Sequence, residues 1–256
     1  MSHNNTTVTK QETLAALRNP GELYVIISSA TKLPFVCCDG ETYDDEVFLY
    51  YREEDAKEKA KHLSEEKYAT AVAKMEDKQL LPFYTSLYTM GVNCLAVNYG
   101  TDTQTSVQLS ELVTRKMPDK FPNSQKLVEN PALHLTAIYF VQEMWRQVSP
   151  QPTEGLEELQ EEMLAHYRKG TFLMVVQEDG QIPLLKQKDG TMYQPVFTDM
   201  LEVQRFSRGQ KIKTAVVTAG QIPGMLAENT KGVVINPFGV NVQLKIERQN
   251  MQKTDA

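Results

Sequence analysis

The sequence predicts an α+β protein made of two similar α+β units, each with a mixed β-sheet flanked by helices, joined by a helical hairpin. Short runs rich in β-branched and aromatic residues alternate with longer segments of helical period. The same order of strands and helices occurs twice, and two amphipathic helices lie between the copies. The predicted boundaries are a flexible N-terminus with a short helix at 1–20, a first unit at 21–116, a loop and helical hairpin connector at 117–169, a second unit at 170–247 and a flexible tail at 248–256.

The first copy contains six predicted strands of high β propensity, separated by turn signals such as Asp39-Gly40. They are Leu23–Ser28, Leu33–Cys38, Val47–Tyr51, Tyr68–Met75, Cys94–Asn98 and Ser106–Leu109. A short helix is predicted at Glu12–Arg18, before a proline that disfavours its continuation. A second helix follows Arg52, where acidic residues precede basic ones as the helix dipole favours, and a third is predicted with Asp77 as its N-cap.

The connector is predicted to hold two amphipathic helices, at Pro131–Gln147 and Gly155–Arg168. Apolar residues recur with helical spacing along the first: Leu133, Ala137, Phe140, Val141 and Met144. The second copy then repeats the earlier order of elements. Its predicted strands are Phe172–Gln177, Ile182–Gln187, Tyr193–Phe197, Thr214–Thr218, Val233–Asn236 and Val240–Leu244, and its predicted helices are Thr198–Arg208 and Gln221–Leu226.

Matched residues support a duplication. Gly21 matches Gly170 and Pro34 matches Pro183 at one common offset (170 − 21 and 183 − 34). Asp39-Gly40-x-x-Tyr43 corresponds to Asp189-Gly190-x-x-Tyr193. The remaining matches pair Val47-Phe48 with Val196-Phe197, Leu95-Ala96-Val97-Asn98 with Val233-Val234-Ile235-Asn236, and Ser106-Val107-Gln108-Leu109 with Asn241-Val242-Gln243-Leu244. We therefore predict that one ancestral unit was copied.

Composition and charge restrict the class of protein. A net charge of −6 argues against a nucleic acid as partner, because phosphate neutralisation needs clustered Lys and Arg. Three cysteines, two of them adjacent at Cys37 and Cys38, favour a reducing compartment over a disulfide framework. The polar N-terminus has no apolar segment of a signal peptide, and the most apolar run is too short to cross a bilayer. A cytoplasmic protein that does not bind membranes is expected.

The second copy carries QIPLLKQKDGTMYQPVFTD followed by KGVVINPFGVNVQL. With these strings the chain resembles the SseB protein N-terminal domain family, well over 170–244 and weakly over 21–109, so that it looks like a tandem of SseB-like units. The resembling features are a strand with a proline before two apolar residues, the PVFTD junction from strand to helix, and the GVVINP strand. The resemblance implies a bacterial binding or scaffold module and supplies no active-site consensus.

Motif searches find no enzyme signature. The sequence lacks the phosphate-binding G-x-x-x-x-G-K-[ST] loop, the dinucleotide fingerprint G-x-G-x-x-G and the nucleophile elbow G-x-S-x-G. We therefore predict no catalytic residue, no cofactor and no metal site. Cys37 and Cys94 lie in strand-like runs and are interpreted as structural thiols.

Other titratable clusters have ordinary structural readings. His134 and His166 could meet across the helical hairpin, but no further ligand accompanies them. The run Asp44-Asp45-Glu46 is interpreted as a charged turn or sheet edge, with a cation site as the alternative. Four glutamates between Glu157 and Glu162 are interpreted as a solvated helix face. The alternative is that the basic patch of a partner docks on them.

The leading hypothesis is a non-enzymatic module that binds another protein or a small ligand. Its candidate binding residues lie in or just after the third and fifth strands of the second unit: Tyr193, Asp199, Arg205, Asn236 and Phe238. Phe238 stands in the turn Asn236-Pro237-Phe238-Gly239, where it either caps the core or anchors a partner. The alternatives are an enzyme with an unrecognised active site in the groove between the units, for which Arg205, Tyr193 and the two histidines are first candidates, and a homodimer formed through exposed sheet edges.

Overall fold

The computed structural model describes residues 9–115, 127–147, 151–176, 182–210 and 212–249. Backbone contacts divide the chain into two units. Unit 1 comprises Met1–Asp119 with Ile138–Leu156, and unit 2 comprises Lys120–Ala137 with Glu157–Ala256. Residues 1–8 of the predicted N-terminal segment 1–20, residues 250–256 of the predicted tail 248–256 and most of the predicted loop after residue 116 lie outside the described residues. The helical hairpin that joins the units stays a prediction.

Unit 1 contains a six-stranded mixed sheet. In spatial order the strands run β4, β1, β3, β5, β6, with β2 paired to β3. Their bounds are β1 Leu23–Ser28, β2 Val36–Cys38, β3 Asp45–Tyr50, β4 Thr70–Met75, β5 Cys94–Val97 and β6 Thr105–Gln108. Only the pairing of β3 with β5 is parallel within this sheet; the other pairings are antiparallel. The α+β class predicted from the sequence is confirmed.

Helices cover this sheet and close its core. They are α1 Lys10–Arg18, α2 Glu53–Glu65, α3 Asp77–Thr89 and α4 Leu109–Leu112. Ala56 and Leu63 of α2 pack with Tyr24, Phe48 and Tyr50 of the sheet in one buried cluster. Two expectations were wrong: Asp77 is the first residue of α3 rather than its N-cap, which is Glu76, and α4 was not foreseen.

Helix α5, Pro131–Arg146, contributes its later turns to unit 1. There, buried Gln142 reaches β2: its Oε1 accepts from the Val36 amide at 3.2 Å, and its Nε2 donates to the Val36 carbonyl at 2.8 Å. Tyr139 donates from its hydroxyl to Asp45 Oδ1 at 2.6 Å. Met144 is exposed, contrary to the apolar face predicted from the sequence, because the buried face includes Gln142 instead. Through these side chains α5 is bonded to β2 and β3.

Unit 2 contains the remaining elements, apart from the first three residues of α6, which belong to unit 1. They are α6 Glu154–Lys169, β7 Thr171–Val176, β8 Leu185–Lys186, β9 Met192–Val196, α7 Met200–Ser207, β10 Lys213–Thr218, α8 Ile222–Met225, β11 Thr230–Ile235 and β12 Val242–Lys245. β10 pairs with β7, and β12, β11, β9 and β8 form a second sheet in that order. A single antiparallel bridge, Leu173 to Phe197, links β7 to the residue after β9. The predicted strand from Ile182 shrinks to Leu185–Lys186; Pro183 lacks the amide hydrogen that a ladder needs.

The strand order of unit 2 matches that of unit 1. When the bridge is counted, unit 2 reads β10, β7, β9, β11, β12 with β8 on β9, and its parallel pair is β9 with β11. The paired residues refine the sequence alignment: Leu49 pairs with Val97 as Val196 pairs with Ile235. Val196 therefore corresponds to Leu49 rather than Val47. A shift of two residues keeps each side chain on its face, so the apolar pattern could not detect it.

Candidate binding site

The site in unit 2 lies where the parallel strands β9 and β11 end. Asn236, the residue after β11, has a left-handed backbone with φ 46°. Its Oδ1 accepts from the Thr198 amide at 3.0 Å, and its Nδ2 donates to Thr198 Oγ1 at 2.8 Å. Its own amide donates to the Val196 carbonyl at 3.0 Å. Asn tolerates this conformation, and its carboxamide supplies partners for groups that are completely buried.

Unit 1 repeats this arrangement at Asn98, the residue after β5. Asn98 also has a left-handed backbone, with φ 51°. Its amide donates to the Leu49 carbonyl at 2.8 Å, and its Oδ1 accepts from the Tyr51 amide at 3.2 Å. In both units an asparagine therefore closes the end of the parallel pair and begins a turn, since the carbonyls of Asn98 and Asn236 accept from Thr101 and Gly239.

Unit 2 adds a buried polar cluster. Asp199 is the N-cap of α7, and its Oδ1 accepts from the amides of Leu201 at 2.9 Å and Glu202 at 3.1 Å. Its Oδ2 accepts from Thr198 Oγ1 at 2.7 Å and lies 3.5 Å from His134 Nδ1. The His134 and Asp199 side chains are 1% and 2% exposed. The cluster links the first turns of α5 to the start of α7 within unit 2.

Burial and neighbouring groups shift the pKa of Asp199 in opposite directions. Burial alone would raise the pKa of the Asp199 carboxyl, but the His134 ring, Thr198 and the Glu202 amide outweigh it, so that this pKa lies below its ordinary value. The carboxylate is thus held in its charged form. Both of its oxygens are already occupied by the helix cap, the hydroxyl and the imidazole.

Glu202 is the second buried acid of the cluster. Its Oε1 accepts from Arg205 Nη1, while its Oε2 has no hydrogen-bond partner among the described residues. Burial raises the pKa of Glu202 in spite of the opposing effects of the nearby His134 ring and Arg205 guanidinium. The turn after β11 packs directly on this carboxylate, because a Cβ placed on Gly239 would lie 2.9 Å from Glu202 Oε2. Glycine is needed there for space.

Above this cluster an aromatic column reaches the surface. The Phe206 ring of α7 lies 5.1 Å from Phe197 and 5.4 Å from Phe238 between ring centroids. Phe197 is completely buried, whereas Phe238 is 40% exposed. Arg208, the C-cap of α7, places its guanidinium 5.2 Å from the Phe238 centroid. The column therefore presents one face of a supported ring beside a cation.

Unit 1 has a similar aromatic pair, in which the Phe48 and Tyr99 rings lie 5.3 Å apart between centroids and one cation contacts both. Lys59 Nζ of α2 lies 4.4 Å from the Phe48 centroid and 4.6 Å from that of Tyr99, which follows Asn98 and is 40% exposed. Lys59 and Phe206 are at the same distance from their helix N-caps (59 − 52 and 206 − 199). Both units thus expose an aromatic ring in the turn after the asparagine.

Four of the five residues predicted for the site come together. Asp199 and Asn236 share Thr198 as a partner, Arg205 binds the buried Glu202, and Phe238 lies next to Arg208. Tyr193 does not join them: it is buried in β9 opposite Leu185, and within the described part of the chain its side chain forms no hydrogen bond or ring contact with the other four. Phe238 has features of both readings, the cap of the core and the anchor for a partner. Its ring packs against Phe206, and part of it is exposed.

The remaining titratable candidates have other partners. His166 pairs with Glu162 at 3.2 Å, not with His134. Asp45 and Glu46 lie in β3, where both pair with β2 and Glu46 also pairs with β5, so the prediction of a charged turn or edge was wrong for them. Burial raises the pKa of both the Cys37 and Cys94 thiols to about 12, which opposes a nucleophilic thiolate. Across the described ranges no group of three or more His, Cys, Asp or Glu residues could hold a metal ion.

The sequence match covers unit 2. Residues 154–252 match the family model described as the SseB protein N-terminal domain. The predicted resemblance is confirmed over these residues, and they contain the whole column from Phe197 to Phe238. That unit 1 is a second copy of the same domain stays a prediction. No curated relative is found.

Two solved structures are similar at a low level. Tic22 from Plasmodium falciparum is 10% identical, with 87% of this chain and 90% of that chain covered and a TM-score of 0.22. Anabaena Tic22 (protein transport) is 10% identical, with coverages of 82% and 83% and a TM-score of 0.17. TM-scores of this size do not show a shared fold. In the described part of the chain, no helix is long and apolar enough to cross a membrane.

Proposed function

We propose that this protein is a non-enzymatic module that binds another protein through the aromatic turns of its units. The observation that carries the proposal is that each unit exposes an aromatic ring in the turn after its asparagine: Tyr99, one residue after Asn98, in unit 1, and Phe238, two residues after Asn236, in unit 2. Partly exposed aromatic residues beside a cation are typical of the residues that dominate protein interfaces.

The buried cluster of unit 2 supports a structural role for its acid and base. A general base must reach the substrate, but the His134 and Asp199 side chains are almost completely buried. Both oxygens of Asp199 already have partners: Oδ1 caps α7, and Oδ2 contacts Thr198 and His134. These groups fix the start of α7 and the turn after β11, and thereby position Phe206 and Phe238 for a partner.

The cytoplasm is the proposed location, and its support is the state of the thiols. Cys37, Cys38 and Cys94 are all free, as expected for a protein made in a reducing compartment. A homodimer stays an alternative form of partner, with β10 as the edge strand of unit 2.

Affinity capture with quantitative mass spectrometry tests the proposal. The full chain serves as bait in four forms: unchanged, Tyr99→Ala, Phe238→Ala and Trp145→Ala. Trp145 is a matched control because it is an aromatic residue that is 59% exposed on α5. We expect at least one captured protein to be depleted severalfold by a turn variant and retained by the control. Equal capture by all folded forms, with unchanged Tm, would contradict the proposal.

A further inference from the structure

We infer that the partner segment bound by unit 2 is an acidic peptide that also carries an apolar side chain. The surface that would receive it, the Phe238 patch, consists of Phe238, Phe206, Arg205 and Arg208. This inference rests on the proposed function and adds the chemistry of the partner. The first reason for the inference is charge: the patch is basic, although the chain as a whole is acidic.

Charges are segregated around α7. Between Met200 and Thr218 the only acidic residue is Glu202, and the loop and strand from Asn236 to Leu244 carry no charge. Glu202 is 3% exposed, so its negative charge is withdrawn from the surface. Arg205 and Arg208 are exposed on the same helical segment. On a chain of net charge −6, this end of unit 2 therefore presents basic groups to solvent.

The two guanidinium groups have donors to offer. Arg208 forms no ion pair with any described residue; its contact is with the Phe238 ring. Arg205 donates from one nitrogen to Glu202, and its side chain is 39% exposed. A guanidinium carries five N–H donors, so Arg205 can bind Glu202 and a partner carboxylate together. Two adjacent cations suit a segment with carboxylates on neighbouring turns or alternate positions.

The aromatic column supplies the apolar half of the recognition. Phe206 supports Phe238 from below, which fixes the ring without covering all of it. An apolar side chain placed on the open part of Phe238 would exclude water from Arg208. Because charge–charge attraction strengthens when water is excluded, the apolar and acidic contacts would reinforce each other.

Unit 1 does not offer the same chemistry. Its corresponding helix α2 exposes Glu54 and Glu58 together with Lys57 and Lys61, and its cation Lys59 contacts both Phe48 and Tyr99. An acidic segment would meet charges of both signs there. The inference is therefore specific to unit 2. A single-stranded nucleic acid is the less suitable occupant, since two cations release few counterions and the chain is acidic overall.

Peptide titration of the full chain tests the inference. The probe is a short, fluorescently labelled synthetic peptide of alternating glutamates and leucines. Two matched peptides replace its glutamates by lysines or its leucines by serines, and an oligouridine is the nucleic-acid competitor. Anisotropy is read with the unchanged protein and with Phe238→Ala, Arg208→Glu, Trp145→Ala and Lys188→Glu. Lys188 is an exposed cation of unit 2 away from α7 and controls for net charge.

We expect the glutamate–leucine peptide to bind, with affinity that falls as salt is added. Phe238→Ala and Arg208→Glu should each weaken binding about tenfold or more, and the two controls should change it less than about twofold. No binding, equal binding of the lysine peptide, or displacement by oligouridine at lower concentration than by the unlabelled peptide would overturn the inference. If capture depends on Phe238 or Tyr99 while the peptide does not bind, the inference fails and the proposed function survives; if capture depends on neither residue and the peptide does not bind, both fail.

Discussion

Asn236 and Thr198 hold the ends of two parallel strands together through a pair of reciprocal hydrogen bonds. The carboxamide of Asn236 accepts from the Thr198 amide at 3.0 Å and donates to the Thr198 hydroxyl at 2.8 Å. The Thr198 hydroxyl in turn donates a hydrogen bond to Asp199, which caps α7. Asn236 begins this series of hydrogen bonds, and the turn that carries Phe238 therefore depends on it.

Replacing Asn236 tests this dependence. Asn236→Ala removes both bonds and leaves the buried Thr198 amide unpartnered, so we expect a loss of about 2–4 kcal/mol in the free energy of unfolding. Part of the loss comes from the left-handed backbone, which Ala disfavours. Asn236→Gly relieves that part and should be less damaging by about 1 kcal/mol. Urea unfolding measures both, and equal stability of the Ala variant and the unchanged protein would contradict the account.

Gly239 is predicted to be intolerant of a single added methyl group. In Gly239→Ala the new Cβ would lie 2.9 Å from buried Glu202 Oε2, and we expect a loss of about 1–3 kcal/mol. Gly220→Ala is the control, because a Cβ there meets nothing within 4 Å. A double-mutant cycle with Glu202→Ala should lower the cost at Gly239, since the carboxylate is removed. A cost that does not depend on Glu202 would assign it to something else.

Local pattern was enough for most elements but not for their register. The bounds of β1 follow from the run LYVIIS, and those of α6 differ by one residue at each end from the prediction. The alignment of Val47 with Val196 was wrong by two residues, since a shift of two keeps the same faces buried. The short α4 was missed because four residues carry too little periodic signal.

Asp199 should stabilise the fold only while it is ionised. Its folded pKa lies below the unfolded value of about 3.9, so its contribution is present above that pH and is lost as the pH falls through the folded pKa. Asp199→Asn should therefore cost about 1–3 kcal/mol at pH 7 and progressively less in acid. Urea unfolding across this range measures the difference. A cost that is constant with pH would show that the charge of Asp199 is not what matters.

Glu202 should show the opposite dependence. Its folded pKa is raised, so the folded state holds the proton more tightly, and stability declines as the pH rises from the unfolded pKa of about 4.3 through the folded pKa. Glu202→Gln keeps an oxygen for Arg205 and removes the buried charge. Relative to the unchanged protein it should gain stability between acid and neutral pH, by up to about 2 kcal/mol. A variant that loses stability over the same interval would contradict this prediction.

Gln142 is predicted to secure α5 to β2 within unit 1. Gln142→Ala leaves both the amide and the carbonyl of buried Val36 without their partner, and we expect a loss of about 2–4 kcal/mol. Gln142→Leu retains the volume and should lose nearly as much, because the unmet backbone groups remain. Thr85→Ala is the control and should change stability little, because Thr85 is half-buried in α3 and its hydroxyl donates to the Leu81 carbonyl of the same helix. Thermal unfolding followed by circular dichroism distinguishes these outcomes.

Residues of the candidate site could be predicted only where the adjacent sequence indicated their role. Asp199 follows a strand and precedes a helix, and Phe238 stands in a tight turn, so both could be found from the sequence. His134 lies on another helix far along the chain, and only the fold brings it to Asp199. Glu202 has the spacing of an ordinary acid in a first helical turn, yet it is buried under Gly239. Burial of a charge depends on tertiary packing, which local pattern does not encode.

Site-specific photo-crosslinking in cells tests the central claim most directly. A photoreactive phenylalanine analogue is placed at position 238, at position 99, or at the control position 145 of the full chain, and adducts are identified by mass spectrometry. The account predicts reproducible adducts to a partner protein at 238 or 99, in severalfold higher yield than at 145. Adducts at neither turn above the yield at 145 would contradict the claim that the aromatic turns bind a partner.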